Sequence, residues 1–294
     1  MEIIHRCYKV LCDFDRVLKF LTDVYDIETL NSYLLPQFFE YAHTHPSFNT
    51  KLTHRFGLWE ENNDLIGIAC YEMNIGECFI SVKNGYNSLI PEMITYSVTN
   101  LSHKNSLSIW IIDKEEEKRS IIGKAGFKKV HSEPVTIFTY DKPFPERVLP
   151  KGFSVISLEE ENDLSNIDDC LWYGFNHGPD PSPAVGLVKL DNRIQMQSGP
   201  HFRKDLTTVI KSPDGKYVSF AGMWIDEQNK YAYLEPLATV PEYRRLGLAT
   251  IALVEGMIKT KELGANYCFG GIMEFYINIG FKTIAHRELW KKEW

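Results

Sequence analysis

The chain has 294 residues, enough for about two domains of ordinary size, and its 44% hydrophobic and 24% charged content is that of a globular protein. A net charge of −7 argues against a nucleic-acid-binding surface, which is normally basic, and no apolar run approaches the ~20 residues a membrane helix needs. Met1 to Arg6 lacks a signal-peptide layout, so a cytoplasmic location is expected, and the six scattered cysteines read as reduced thiols, not as a disulfide or zinc framework.

In the first half, Asn31 to Arg55 is rich in aromatics and carries His43, His45 and His54. No cysteine or carboxylate pattern accompanies these histidines, so no metal is expected. Asn62-Asn63-Asp64 is a turn signal between two strand-like runs, and Glu77 to Val82 and Leu107 to Asp113 read as strands. Three prolines between Asp141 and Lys151 mark a linker at 142–151, which separates a domain at 1–141 from one at 152–294. The halves repeat at an offset of about 154 residues: Gly126-Phe127-Lys128 falls on Gly280-Phe281-Lys282, and Glu77 to Val82 falls on Tyr231 to Pro236.

In the second half, Gly152 to Leu158 reads as a strand and Glu159 to Phe175 as a helix with an acidic start. Asn176 to Ala184 is too rich in proline and glycine for either. Strands follow at Leu206 to Lys211, Tyr217 to Asp226 and Tyr231 to Val240. Period-two alternation places Tyr231, Tyr233, Glu235, Leu237 and Thr239 on one face of the last. Leu248, Ile251, Ala252, Val254, Met257 and Ile258 form the apolar stripe of a helix that Gly264 would end.

The loop between that strand and helix carries the chemistry. The first amides of a helix have no intrahelical partners, and the dipole favours an anion there. Gly247 and Ala249 leave room for a phosphate, and Arg244 and Arg245 offer charge-assisted donors. Neither the nucleotide P-loop pattern nor Gly-x-Gly-x-x-Gly occurs, so a different phosphorylated cofactor is expected.

Arg244-Arg245-Leu246-Gly247-Leu248-Ala249, in its strand-to-helix setting, resembles the Arg/Gln-x-x-Gly-x-Gly/Ala segment of the GNAT superfamily of acetyl-CoA-dependent N-acetyltransferases. Glu274 to Lys282 is similar to the family's Phe-Tyr-x-x-x-Gly-Phe ending. The resemblance implies an α/β fold of mixed, α+β character: two tandem GNAT-like domains, each a mostly antiparallel twisted sheet flanked by helices. It also implies acetyl-CoA as cofactor, with Arg244, Arg245, Leu246, Gly247, Leu248, Ala249 and Thr250 on its diphosphate. Leu237, Ala238, Thr239 and Val240 would pair the pantetheine like an added strand. A backbone N–H of that strand, Leu237's, would face the developing oxyanion. Tyr276 is the candidate acid for the leaving thiolate and packs on the cofactor; Glu235 is the candidate base. Trp172, His177, Asp180 and Tyr233 become candidates for contact with the acceptor, a small-molecule amine or a peptide. Many family members carry Asn-x-x-Ala before the tyrosine, where this chain has Phe269-Gly270-Gly271-Ile272-Met273.

At the same offset the first half has Ser81, Ile90, Met93, Thr95 and Ile122 in place of Glu235, Arg244, Gly247, Ala249 and Tyr276. Pro91 and Glu92 occupy the would-be phosphate loop, and a carboxylate there repels a diphosphate. The first domain is therefore expected to be a degenerate copy. Two other readings stay open: a module that holds acyl-CoA without turnover, and an acyltransferase for a longer acyl group or a peptide N-terminus.

Overall fold

The computed structural model of the chain describes residues 2–178, 180 and 186–294. Its first half runs β1 (Ile3–Cys7), α1 (Val10–Asp23), α2 (Pro36–Thr44), β2 (Gly57–Glu61), β3 (Asp64–Cys70), β4 (Glu77–Val82), α3 (Ile90–Asn100), β5 (Ser106–Ile112), α4 (Glu116–Lys124) and β6 (Lys128–Thr139). The second runs β7 (Ser154–Ser157), α5 (Leu164–Gly174), α6 (Leu187–Met196), β8 (Thr208–Lys211), β9 (Tyr217–Asp226), β10 (Tyr231–Thr239), α7 (Leu248–Glu262), β11 (Tyr267–Gly270), α8 (Glu274–Asn278) and β12 (Lys282–Glu293). Among the described residues no helix is long and apolar enough to cross a membrane.

Two compact units form, and they do not follow chain order. One comprises Met1–His43, Ser47–Val135 and Thr283–Trp294; the other comprises Thr44–Pro46 and Thr136–Lys282. Residues 142–151, read above as a linker, lie within the second unit. The last strand, β12, completes the first unit's sheet by pairing antiparallel with β5, Arg287 opposite Ile112 and Glu293 opposite Ser106. The end of β6 serves the second unit, where Thr136 to Thr139 pair with β11. Strand pairing between distant segments leaves no local mark in a sequence, and neither exchange was expected.

In the first unit the strand order is β1-β2-β3-β4-β5-β12. Asn62 and Asn63 both adopt positive φ (51° and 68°), the two-residue turn that suits the twist of the β2–β3 hairpin. Strands β4 and β5 are parallel over Glu77–Phe79 and Ser108–Trp110 and go no further together. Beyond that point the chain's own Leu30–Tyr33, four residues in succession at φ of 37–65°, binds the β4 edge. Ser32 Oγ donates to the Ile80 carbonyl at 2.8 Å, Asn31 Nδ2 to the Val82 carbonyl at 3.2 Å, and the buried Lys118 ammonium to Ile80 at 3.0 Å. Glu92, in the first turn of α3, accepts from the Trp59 indole at 2.8 Å. His43 is enclosed by Phe14, Phe39 and Phe48, and burial pulls its pKa down to about 4.

In the second unit the order is β6-β11-β10-β9-β8-β7. Helix α7 covers one face, with Leu248, Ala252, Leu253 and Met257 against Ala221, Met223, Ala232 and Leu234. Helix α5 covers the other, with Ile167 and Leu171 against Val209, Phe220 and Ala238. It begins at Leu164, later than the acidic run suggests, because Asp163 accepts the Asn166 N–H at 2.9 Å and caps it. Such a cap contributes about 1 kcal/mol. Gly264, at φ 98°, ends α7 as expected. Helix α6 has no counterpart in the sequence reading; it is tied to α5 by Arg193 Nε and the buried Asp168 carboxylate at 2.8 Å. Of the proline-rich stretch after α5, Pro179 and residues 181–184 lie outside the described residues.

Candidate active site

Strand β10 departs from simple alternation. Leu234 pairs with Met223 but Leu237 pairs with Ala221, so one extra residue enters between them. Leu234 and Leu237 thereby point to the α7 face, while Tyr233 and Ala238 point to the α5 face. The expectation that Tyr233, Leu237 and Thr239 share one face is corrected: the bulge inverts parity midway. Gly222 makes the bulge possible, since a Cβ there would lie 2.5 Å from the Glu235 carbonyl oxygen and 3.0 Å from Pro236 Cδ. Trp224 Nε1 donates to that same carbonyl at 2.9 Å. A glycine inside a strand pattern is the sequence mark of such an approach.

Beyond the bulge, among the described residues, no strand pairs with the second edge of β10. It is parallel to β11 over Tyr231–Tyr233 and Tyr267–Phe269 and then runs on to Thr239. The Val240 N–H donates to the Val218 carbonyl at 3.0 Å. Hydrogen-bonding direction alternates along a strand, so Ala238 also faces β9 while the backbone groups of Leu237 and Thr239 face the open edge. An amide-rich chain could pair there.

At the end of that edge stands the start of α7. Gly247 is left-handed at φ 80° and supplies no side-chain cap; the first intrahelical bond runs from the Ile251 N–H to its carbonyl. The amides of Leu248, Ala249 and Thr250 thus have no intrahelical partner, and Arg245 is exposed at φ 64° beside them. An anion fits this cradle. Arg244, by contrast, is engaged. Its Nε donates to the Thr239 carbonyl at 3.0 Å, and its Nη2 to the Gly174 carbonyl at 2.8 Å and Asn176 Oδ1 at 2.9 Å. It ties the strand end to the C-terminus of α5. The side chain over Gly247 is instead that of Arg147, unmarked in the sequence reading.

Tyr276 lies on α8 with 7% of its surface exposed, between Phe275 and Phe281. Its ring rests on Gly270 and Gly271, where a Cβ would come within 2.8 Å and 2.6 Å of it. The Gly-Gly pair that departs from the family pattern therefore makes the seat for this ring. Burial pushes the Tyr276 phenol well above its ordinary pKa, the Glu235 carboxylate pushes it further, and a hydrogen bond from the Gly271 backbone opposes both. Glu235 itself is half-buried, in the bulge.

Trp172, His177 and Asp180 come together at the end of α5. The Trp172 and His177 rings are 4.8 Å apart, and Trp172 Nε1 donates to the Asp180 backbone carbonyl at 2.8 Å. Both the His177 ring and the Asp180 carboxylate are exposed. Tyr233 is on the sheet face that α5 covers.

Residues 167–269 match the model of the acetyltransferase (GNAT) family. The match spans α5 to β11 and includes the Gly247 loop but stops short of Tyr276. No curated protein matches the sequence. Among solved structures the chain is similar to a tandem GNAT protein from the clavulanic acid biosynthesis pathway, solved without AcCoA, at 11% identity, 99% of this chain, 98% of that one and a TM-score of 0.64. It is also similar to a GCN5-related N-acetyltransferase from Sphaerobacter thermophilus (12%, 99% and 95%, 0.60). An acetyltransferase from the GNAT family of Colwellia psychrerythraea compares similarly (12%, 100% and 100%, 0.59). At these identities the likeness carries the fold, here a tandem GNAT-like architecture.

Proposed function

We propose that this chain, an acyltransferase carrying a GNAT-family domain in its second half and a degenerate GNAT-like copy in its first, moves an acetyl group from acetyl-CoA to a primary amine of a small molecule or peptide. The reading rests on one observation above the others: the uncapped first turn of α7, behind left-handed Gly247, lies at the end of the open edge of β10. A diphosphate suits the first, and the amides of a pantetheine arm suit the second. The first unit has no equivalent, since Ser32, Asn31 and Lys118 already bind the β4 edge. A cytoplasmic setting goes with this reading.

The α7 amides of Leu248, Ala249 and Thr250 would hold the diphosphate, with Arg245 beside them. The Leu237 carbonyl and the Thr239 N–H would hold the pantetheine, and the Leu237 N–H is the donor for oxyanion charge. Bound acetyl-CoA would supply the activated thioester and, once the acetyl group has left, a thiolate to be protonated. Tyr276 is the acid in this reading: its phenol is protonated at neutral pH, as an ordinary tyrosine is, and its burial makes it a weaker donor than a free phenol. Glu235, whose charge acts on Tyr276, takes the proton that the acceptor nitrogen gives up. Trp172, His177, Asp180 and Tyr233 border the place where that nitrogen would enter.

Incubating the protein with acetyl-CoA and a panel of polyamines, amino sugars, amino acids and peptide N-termini, and following free thiol, tests the assignment. Thiol release that depends on one class of amine is expected. Binding of acetyl-CoA with no release for any amine would leave a module that holds the thioester without turnover.

A further inference from the structure

The diphosphate cradle has a cation that the family match does not include. Arg147 lies in the proline-rich segment after β6, upstream of the matched residues 167–269. Its aliphatic stem crosses Gly247: a Cβ built on that glycine would be 3.2 Å from Arg147 Cδ, 3.3 Å from Cγ and 3.5 Å from Cβ. The guanidinium begins one bond beyond Cδ, so its stem anchors it next to Gly247. Arg147 is exposed, and among the described residues its hydrogen-bond partner is its neighbour's carbonyl, Glu146, at 2.8 Å from Nη1. Its remaining N–H groups are available. Arg244, which the sequence pattern nominates for this task, spends its donors on Thr239, Gly174 and Asn176.

We infer that Arg147 is a phosphate ligand of coenzyme A in this protein, a residue of the segment between the two halves that takes the place of the committed Arg244. The inference rests on the proposed function. A planar guanidinium can bind either the diphosphate or the ribose 3′-phosphate in a fork, and both present the same chemistry. Because the site is open to solvent, the contribution is smaller than that of a buried pair and is screened by salt. With its stem already against Gly247, Arg147 needs only rotation about its terminal bonds to turn its guanidinium toward an anion at the loop.

Isothermal titration with CoA and with 3′-dephospho-CoA, on the wild type, Arg147→Ala and Arg147→Lys, tests it at two salt concentrations. Arg147→Ala is expected to bind CoA about tenfold more weakly at low salt, with a shallower salt dependence, and Arg147→Lys to recover part of the loss. If the alanine variant weakens both ligands equally, Arg147 holds the diphosphate; if it weakens CoA alone, it holds the 3′-phosphate. Unchanged or tighter binding of CoA by Arg147→Ala, with the wild type binding normally, overturns the inference and leaves the proposed function standing. Absence of CoA binding by the wild type removes both. The melting temperature of each free variant, expected to match the wild type for so exposed a side chain, separates loss of a ligand from loss of fold.

Discussion

The pKa of the Tyr276 phenol is raised by burial of its ring, which lies between two phenylalanines and against two glycines whose missing side chains leave it room. Its folded pKa is raised, so deprotonation begins only at a pH above the ordinary phenol value of 10.0. The rate should therefore show no alkaline loss from this group below about pH 10. Tyr276→Phe keeps the ring and its packing but has no proton to give. It should lower kcat by about a hundredfold while CoA affinity stays within about threefold. Steady-state kinetics beside calorimetry would check this; equal losses in both would make Tyr276 a packing residue. The tyrosine itself was legible, because its spacing from Gly280-Phe281 is local. The reason for Gly270-Gly271 was not, since it lies in a contact between a strand end and a helix.

Strand β10 shows why a local pattern misjudges faces. Alternation holds from Tyr231 to Leu234 and again from Leu237 to Thr239, but the two runs are out of phase. What sets the phase is the partner strand, where Gly222 lets the Glu235 carbonyl approach and Trp224 holds it. The bulge then ends the shared edge with β11 and presents Leu237 and Thr239 outward. Gly222→Ala places a methyl group 2.5 Å from that oxygen. The strand must shift, at about 1–3 kcal/mol of stability, and CoA binding should weaken with it. Urea denaturation and a CoA titration on the same variant would show both effects; an unchanged midpoint would mean the bulge relaxes freely. The strand, loop and helix boundaries here were read correctly to within a residue or two because Tyr231 to Gly264 carries its signals in sequence: aromatic alternation, a glycine start, an apolar stripe and a glycine stop.

For the whole molecule, the repeat at about 154 residues was visible through short matching segments, and Glu77–Phe79 and Tyr231–Tyr233, each in a parallel pairing with a later strand, keep that offset. Invisible were the partners of the last strand of each repeat, β6 and β12. The first unit depends on the last twelve residues, since 283–294 belong to it and β12 covers the edge of β5. Deleting residues 283–294 should expose that edge and raise hydrogen exchange in Ser106–Ile112 by orders of magnitude, with aggregation as the second sign. Retained protection in β5 would show that another element closes the sheet. Function, in this account, belongs to the second unit, and its decisive feature is a helix start that binds a diphosphate. Titrating CoA calorimetrically into the wild type and into Gly247→Glu measures that directly. Saturable heat is expected for the wild type and none for the glutamate variant, which puts a β-carbon and a carboxylate on a left-handed backbone position at the cradle. Equal binding by both proteins, or no heat from the wild type, would contradict it.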